Sequence, residues 1–132
     1  MTVRLYMSGA VEQHKKPESW RNGILRMYEG IDWVSPTEFG FNDKTDESVV
    51  VERCLNEISE CDGVLLAYEE EVPTWGTPIE QYFAYKNDIP VAVWTATEFG
   101  NLPKFLIDHA DYINVDVHEC VKYFIAKDPR VI

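Results

Sequence analysis

The chain has 132 residues, of which 45% are hydrophobic, so it can bury one sizeable core but is too short for two comfortable domains. Its formal net charge of −11 argues against a DNA or RNA partner, because binding to a phosphate backbone depends on clustered Lys and Arg. A small ligand is compatible with this charge where a few local donors offset the acidic field. We therefore expect a single domain, residues 1–132, with no nucleic-acid polymer as partner.

The cysteine pattern predicts neither a disulfide framework nor a zinc site. Cys54, Cys61 and Cys120 are odd in number and fit no metal-ligand spacing, so buried free thiols are expected. No stretch is long and apolar enough to span a membrane, and the first residues lack the pattern of a signal peptide. We expect a cytoplasmic protein that has no membrane partner and needs no metal or cofactor.

Strand and helix patterns alternate in the first part of the chain. They predict strand, helix, strand and helix at Val3–Met7, Pro17–Tyr28, Ile31–Val34 and Asp46–Glu60. Ser8 and Gly9 follow the first strand and let the backbone approach a ligand closely. Asp46 is placed to cap the helix that follows it.

The stretch Cys61 to Tyr85, CDGVLLAYEEEVPTWGTPIEQYFAY, predicts a strand, an acidic loop and a helix start. Val64–Ala67 is typical of a fully buried strand, and the helix begins near Gly76 with Glu80 in its first turn. The remaining sequence predicts strand, short helix, strand and helix at Ile89–Trp94, Pro103–His109, Tyr112–Val115 and Val117–Ala126.

Five short strands alternating with helices predict right-handed crossovers and a mostly parallel sheet that is covered on both faces. The expected fold is a flavodoxin-like three-layer α/β sandwich with strand order 2-1-3-4-5. In this order the carboxyl ends of strands 1 and 3 share one crevice, where ligands bind in open α/β sheets. Tyr6, Ser8 and Gly9 would then face Glu69 and the helix that begins at Thr77.

Two interpretations of Glu80 stay open at this point. Thr77, Pro78 and Glu80 match a capping box, in which the Thr caps the helix and the Glu reaches back to the cap amide. Alternatively, the positive end of the helix dipole keeps the Glu80 carboxylate ionised, so that it can act as a nucleophile or stabilise a cation. The direction in which the carboxylate points distinguishes the two.

The acidic loop offers a second carboxylate for the same crevice. Glu69, Glu70 and Glu71 cannot all point inward, but Glu69 follows the strand directly. Two carboxylates with separate roles suit cleavage of a glycosidic bond through an oxocarbenium-like transition state, which needs no metal or cofactor. Trp75, beside Gly76 in a polar loop, is a candidate for stacking on a nucleobase.

These motifs together resemble the nucleoside 2-deoxyribosyltransferase family, which includes nucleoside 5'-monophosphate N-glycosidases. The resemblance lies in RLYMSGA, ISECDGVLLAYEEE and GTPIEQYFAY followed by DIPVAVW, in this order from about Val3 to Val115. It implies that Glu80 is a catalytic nucleophile, that Tyr6 orients it and that Glu69 contacts the base or sugar. It also implies a homodimer or larger homo-oligomer. From their places at the strand end and the helix start, Ser8, Gly9, Trp75, Gly76 and Thr77 are predicted to contact the substrate.

The sequence departs from the family pattern at two positions. Thr74 stands where transferases often have an Asp, and Ala10 stands where the first loop commonly has a Pro. The first departure argues against transfer to a second base and leaves hydrolysis, or a different base preference, equally open. A non-catalytic nucleotide-binding sensor or regulatory module on the same fold is the alternative function, and an interaction domain without a pocket is a third.

Overall fold

The computed structural model describes residues 3–9, 23–24, 28, 30–36, 39–40, 42, 44–69 and 76–127. The strands are β1 Arg4–Ser8, β2 Asp32–Val34, β3 Gly63–Tyr68, β4 Val91–Thr95 and β5 Tyr112–Asn114. The helices are α1 Glu47–Ser59, α2 Gly76–Lys86, α3 Lys104–Asp108 and α4 Val117–Lys127, and a 3₁₀ turn spans Phe99–Asn101. The predicted helix Pro17–Tyr28 lies largely outside the described residues, although Gly23 and Ile24 are helical.

The five strands form one parallel sheet in the order β2-β1-β3-β4-β5, so the predicted fold class and strand order are confirmed. β1 lies between β2 and β3, with Tyr6 opposite Val64 and Ser8 opposite Leu66. The chain therefore reverses its winding direction between β1 and β3. The carboxyl ends of these two strands lie side by side, as the switch point of the fold requires.

Helices cover both faces of the sheet, because successive side chains of a strand point to opposite sides. On one face Tyr6, Val64 and Leu66 pack with Cys54 and Ile58 of α1, and residues of α2 and α3 complete this cluster. On the other face Leu5, Met7 and Leu65 pack with Val121 and Phe124 of α4. The result is a three-layer sandwich with two apolar cores.

Local sequence explains where α1 begins and which side it buries. The Asp46 carboxylate accepts a hydrogen bond from the Ser48 backbone N–H at 3.1 Å, so the predicted N-cap is confirmed. Cys54 and Ile58 are one helical turn apart and both are buried against the sheet. Within the part of the chain that the structure describes, no helix has the length and apolarity needed to cross a membrane.

The last strand is one residue shorter than predicted. β5 ends at Asn114, whose side-chain oxygen accepts a hydrogen bond from the Asp116 N–H at 2.8 Å. This Asx turn leads the chain away from the sheet, and Val115 is left 67% exposed. In α4 the predicted inward residues Val121 and Phe124 are buried, whereas Ile125 is only half-buried.

Gly63 at the start of β3 provides a test of the core packing. A methyl group at this position would lie 2.4 Å from Cε1 of Phe124 and 3.2 Å from Cδ2 of Leu5. We expect Gly63→Ala to lower the free energy of unfolding by about 1–3 kcal/mol, because the buried Phe124 ring must shift, as urea denaturation would measure. Gly100→Ala is the matched control, since a methyl group there meets nothing within 4 Å. Equal losses in both variants would contradict the packing.

Candidate active site

The Glu80 carboxylate is held by two hydroxyl groups from β1. The Tyr6 hydroxyl donates a hydrogen bond to Oε2 of Glu80 at 2.6 Å, and the Ser8 hydroxyl donates one to Oε1 at 2.6 Å. Both bonds are short, as is usual for O–H donors to an ionised carboxylate. The carboxylate thus points from α2 toward the carboxyl end of β1.

The alternation of side chains along a strand explains why both hydroxyl groups reach Glu80. Tyr6 and Ser8 are two residues apart in β1, so their side chains point to the same face of the sheet. That face is the one covered by α2. The helix begins at Gly76 and has no acidic residue in its first turn, so Glu80 lies just beyond that turn and not within it as predicted. The long Tyr6 side chain reaches further along the sheet than the Ser8 side chain does. Their hydroxyls therefore converge on one carboxylate.

The site is buried but does not seal Glu80 from solvent. Tyr6 and Ser8 have no exposed surface, whereas Glu80 is 9% exposed. Burial and the charge of Glu80 raise the pKa of the Tyr6 phenol far above its usual value, so Tyr6 stays protonated and remains a donor. The arrangement provides an oriented carboxylate with fixed neutral donors.

The other residues predicted for the site lie near these three or outside the described chain. Thr77 is buried in the first turn of α2, and Gly76 is the first residue of that helix. Gly9 follows β1 directly with φ 154°, a backbone conformation that favours glycine. Glu69 follows β3 at the same edge of the sheet and is exposed, so its predicted contact with substrate stays a prediction. Trp75 lies outside the described residues.

The two interpretations of Glu80 are distinguished by direction. α2 begins at Gly76, one residue before the predicted cap Thr77, and Glu80 directs its carboxylate to β1. Glu80 is buried, and its carboxylate accepts hydrogen bonds from two side chains of β1. An interaction domain without a site would instead leave this side chain exposed to solvent. The sequence pattern showed the position of Glu80 in the helix but not the partners of its side chain.

Sequence reasoning missed two side chains that the fold brings to this face. Cys54 of α1 is buried in the same core cluster as Tyr6. Tyr68, the last residue of β3, packs half-buried against the same core as Tyr6. The alternation Val64, Leu66, Tyr68 could have assigned Tyr68 to this face, because Leu66 lies opposite Ser8. Nothing in the local sequence marks Cys54.

The hydroxyl and carboxylate groups of the site do not by themselves form a metal centre. Among the described residues, no group of three or more His, Cys, Asp or Glu side chains is arranged to hold a metal ion.

The fold is shared with two 2-deoxyribosyltransferases and with a conserved protein of solved structure. The structure superposes on a 2-deoxyribosyltransferase from Leishmania mexicana with a TM-score of 0.73 and 16% identity, over 95% of this chain and 98% of that one. For a 2-deoxyribosyltransferase from Bacillus psychrosaccharolyticus, described as a biocatalyst for nucleoside synthesis, the TM-score is 0.72, the identity 19% and the coverage 89% of each chain. A conserved protein from Enterococcus faecalis gives 0.59 and 18%, over 93% of this chain and 88% of that one.

The comparisons show a similarity in structure and not in sequence. No family model and no curated protein sequence matches the chain. Its strand order makes the chain a doubly wound α/β protein. The buried Glu80 side chain lies at the switch point between β1 and β3. In particular, it has the fold of the 2-deoxyribosyltransferases, which supports the resemblance that its sequence motifs indicate.

The three buried thiols predict how stability depends on pH. Burial raises the pKa of Cys54 and of Cys120 to about 11 and that of Cys61 to about 12, above the ordinary value of 9.0. Because the unfolded thiols ionise first, the stability associated with the protonated thiols is fully present below about pH 9 and is lost toward pH 11 to 12. We expect the free energy of unfolding in urea to fall over this range.

The same thiols should react with a disulfide reagent only slowly at pH 8 in the native state, since about 0.1% of a thiol with a pKa of 11 is thiolate there. All three should react rapidly in denaturant, because they are free cysteines. Rapid labelling of the native protein would contradict their burial.

Proposed function

We propose that the protein cleaves the N-glycosidic bond of a nucleoside or deoxynucleoside, or of a corresponding nucleotide, with Glu80 as nucleophile. The observation that carries this proposal is the pair of 2.6 Å hydrogen bonds that orient the Glu80 carboxylate at the switch point. In its ionised form, a carboxylate that is fixed in direction meets the requirement for attack on an anomeric carbon. The shared fold with 2-deoxyribosyltransferases supports the same chemistry.

The proposed reaction has two displacement steps at the anomeric carbon. In the first, an oxygen of Glu80 bonds to this carbon while the bond to the base nitrogen breaks, and the base leaves with the bonding electron pair. In the second, a nitrogen of another base or a water oxygen bonds to the same carbon and releases the carboxylate. The negative charge of Glu80 stabilises the oxocarbenium character of both transition states.

The remaining residues have proposed roles around this nucleophile. Tyr6 and Ser8 position its two oxygens. We propose that Glu69, exposed beyond β3, contacts the base or sugar, as the family resemblance implies. Gly9 and the start of α2 at Gly76 and Thr77 are proposed to approach the substrate through their backbone, and Trp75 is proposed to stack on the base.

Replacement of Glu80 tests the nucleophile. Glu80→Gln keeps the shape of the side chain but removes its charge, so we expect base release from a panel of nucleosides and nucleotides to fall by at least about a thousandfold. Chromatography of the released base measures this. Glu52→Gln, which changes an exposed Glu of α1, is the matched control and should keep full activity. Undiminished base release by Glu80→Gln would contradict the proposal.

The same assay distinguishes the possible acceptors. With a second free base present, a new nucleoside indicates transfer, whereas free base and free sugar alone indicate hydrolysis. If ligands raise the melting temperature but no base appears over a long incubation, the alternative of a non-catalytic nucleotide-binding sensor is favoured instead.

We also propose that the protein acts in the cytoplasm as a homodimer or larger homo-oligomer. An apolar outer surface of α2 and α3 supports self-association: Tyr82, Tyr85 and Phe105 are 45%, 52% and 42% exposed, and Tyr82 contacts both other rings. Light scattering during size-exclusion chromatography should give a multiple of the chain mass, and Tyr85→Glu should shift it toward the monomer. A wild-type protein that is monomeric at high concentration would contradict this.

A further inference from the structure

Ser8 ends β1 with its hydroxyl group against the candidate nucleophile. The residue has no exposed surface, and its hydroxyl donates a hydrogen bond to Oε1 of Glu80 at 2.6 Å. Tyr6 donates to the other oxygen, Oε2, also at 2.6 Å. Each oxygen of the carboxylate therefore has its own hydroxyl donor, whichever of the two oxygens bonds to the sugar.

We infer that Ser8 is a catalytic residue of the second displacement: its hydroxyl stabilises the Glu80 carboxylate as this group leaves the sugar, and it thereby shortens the lifetime of the glycosyl-enzyme. This role rests on the proposed function, because it requires a covalent intermediate on Glu80. It goes beyond positioning, since a residue that only positions the nucleophile would affect the first displacement as well.

The second displacement returns negative charge to Glu80. A water oxygen or a base nitrogen bonds to the anomeric carbon while the ester bond between this carbon and Glu80 breaks. The electron pair of the broken bond goes to the Glu80 oxygen, and the proton of the acceptor passes to solvent. Glu80 is therefore the leaving group of this step, and a donor that binds a carboxylate more strongly than an ester assists its departure.

The strength of the Ser8 hydrogen bond depends on the charge of Glu80. A hydrogen bond to an ionised acceptor is roughly twice as strong as one to a neutral acceptor. The free carboxylate is charged, and it keeps much of this charge in an oxocarbenium-like transition state, whereas the ester is neutral. Loss of the Ser8 hydroxyl thus raises the starting state and the transition state of the first step together. In the second step it raises the transition state relative to the ester, so this step is slowed.

Three variants separate this role from packing. Ser8→Ala removes the donor, and Ser8→Cys replaces it by a weak S–H donor. Cys120→Ala is the matched control, because it also removes one small polar group from a fully buried residue. Cys120 packs in the core cluster on the α4 face, where its S–H group donates to the backbone oxygen of Val93 at 3.5 Å.

Rapid-quench kinetics measures the two displacements separately in the intact protein. Chromatography of the released base reports the first step, and the mass of the acid-quenched protein reports the sugar bound to it. We expect Ser8→Ala to keep the first rate within about twofold and to lower the second about five- to tenfold, so that more of the protein carries the sugar. Ser8→Cys should lie between Ser8→Ala and the wild type, and Cys120→Ala should match the wild type.

The outcomes distinguish this role from the proposed function. Equal slowing of both steps in Ser8→Ala would overturn the inference and leave Ser8 as a positioning residue. An unchanged second step in this variant would overturn it as well, while base release by the wild-type protein still supports the proposed function. A wild-type protein that releases no base would instead overturn the proposed function.

Infrared spectroscopy tests the hydrogen bond without measuring activity. The carboxylate stretching band of Glu80, identified by its loss in Glu80→Gln, should shift in Ser8→Ala, because the carboxylate loses a donor. The band should stay in place in Cys120→Ala. A Glu80 band that does not respond to Ser8→Ala would overturn the role of Ser8 as donor.

Discussion

The hydrogen bonds between Glu80 and β1 constrain the rest of the structure. Glu80 is only 9% exposed, so its carboxylate must find hydrogen-bond donors within the protein. Tyr6 and Ser8 supply them only if α2 lies over the face of β1 on which both side chains point. That placement in turn requires β1 and β3 to be neighbours, which is the feature that defines the strand order of this fold. Site and topology thus depend on each other.

The same contacts explain how an acidic side chain can be buried and still be reactive. The two donors from β1 are neutral hydroxyls, so they orient the carboxylate without neutralising its charge. A charge held in this way can stabilise a cationic transition state, which is the demand of glycosidic cleavage. The proposed function therefore follows from the kind of donor as well as from the position of Glu80.

At the carboxyl edge of the sheet, one face is an apolar core and the other face carries the candidate site. The face with α4 is a packed apolar core around Leu65, Val121 and Phe124, and Gly63 allows the Phe124 ring to lie directly on β3. On the opposite face the apolar core gives way to Tyr6, Ser8 and Glu80 toward the strand ends. These three polar side chains can be buried at this end because each has a hydrogen-bond partner. The apolar core on the α4 face supports the candidate site on the opposite face of the sheet.

The sequence by itself determined the fold class, the strand order and the position of Glu80 near the start of a helix, although the helix begins at Gly76 and Glu80 lies just beyond its first turn. Those features follow from periodicity, helix capping and short connections, which are local properties of the chain. Only the tertiary structure decided that Glu80 points toward β1, because the two interpretations shared one local pattern and differed in partners 72 and 74 residues away. For the same reason Cys54 was predicted only as a buried thiol. Its place in the same core cluster as Tyr6 arises from packing α1 on the sheet, and no spacing along the chain encodes it.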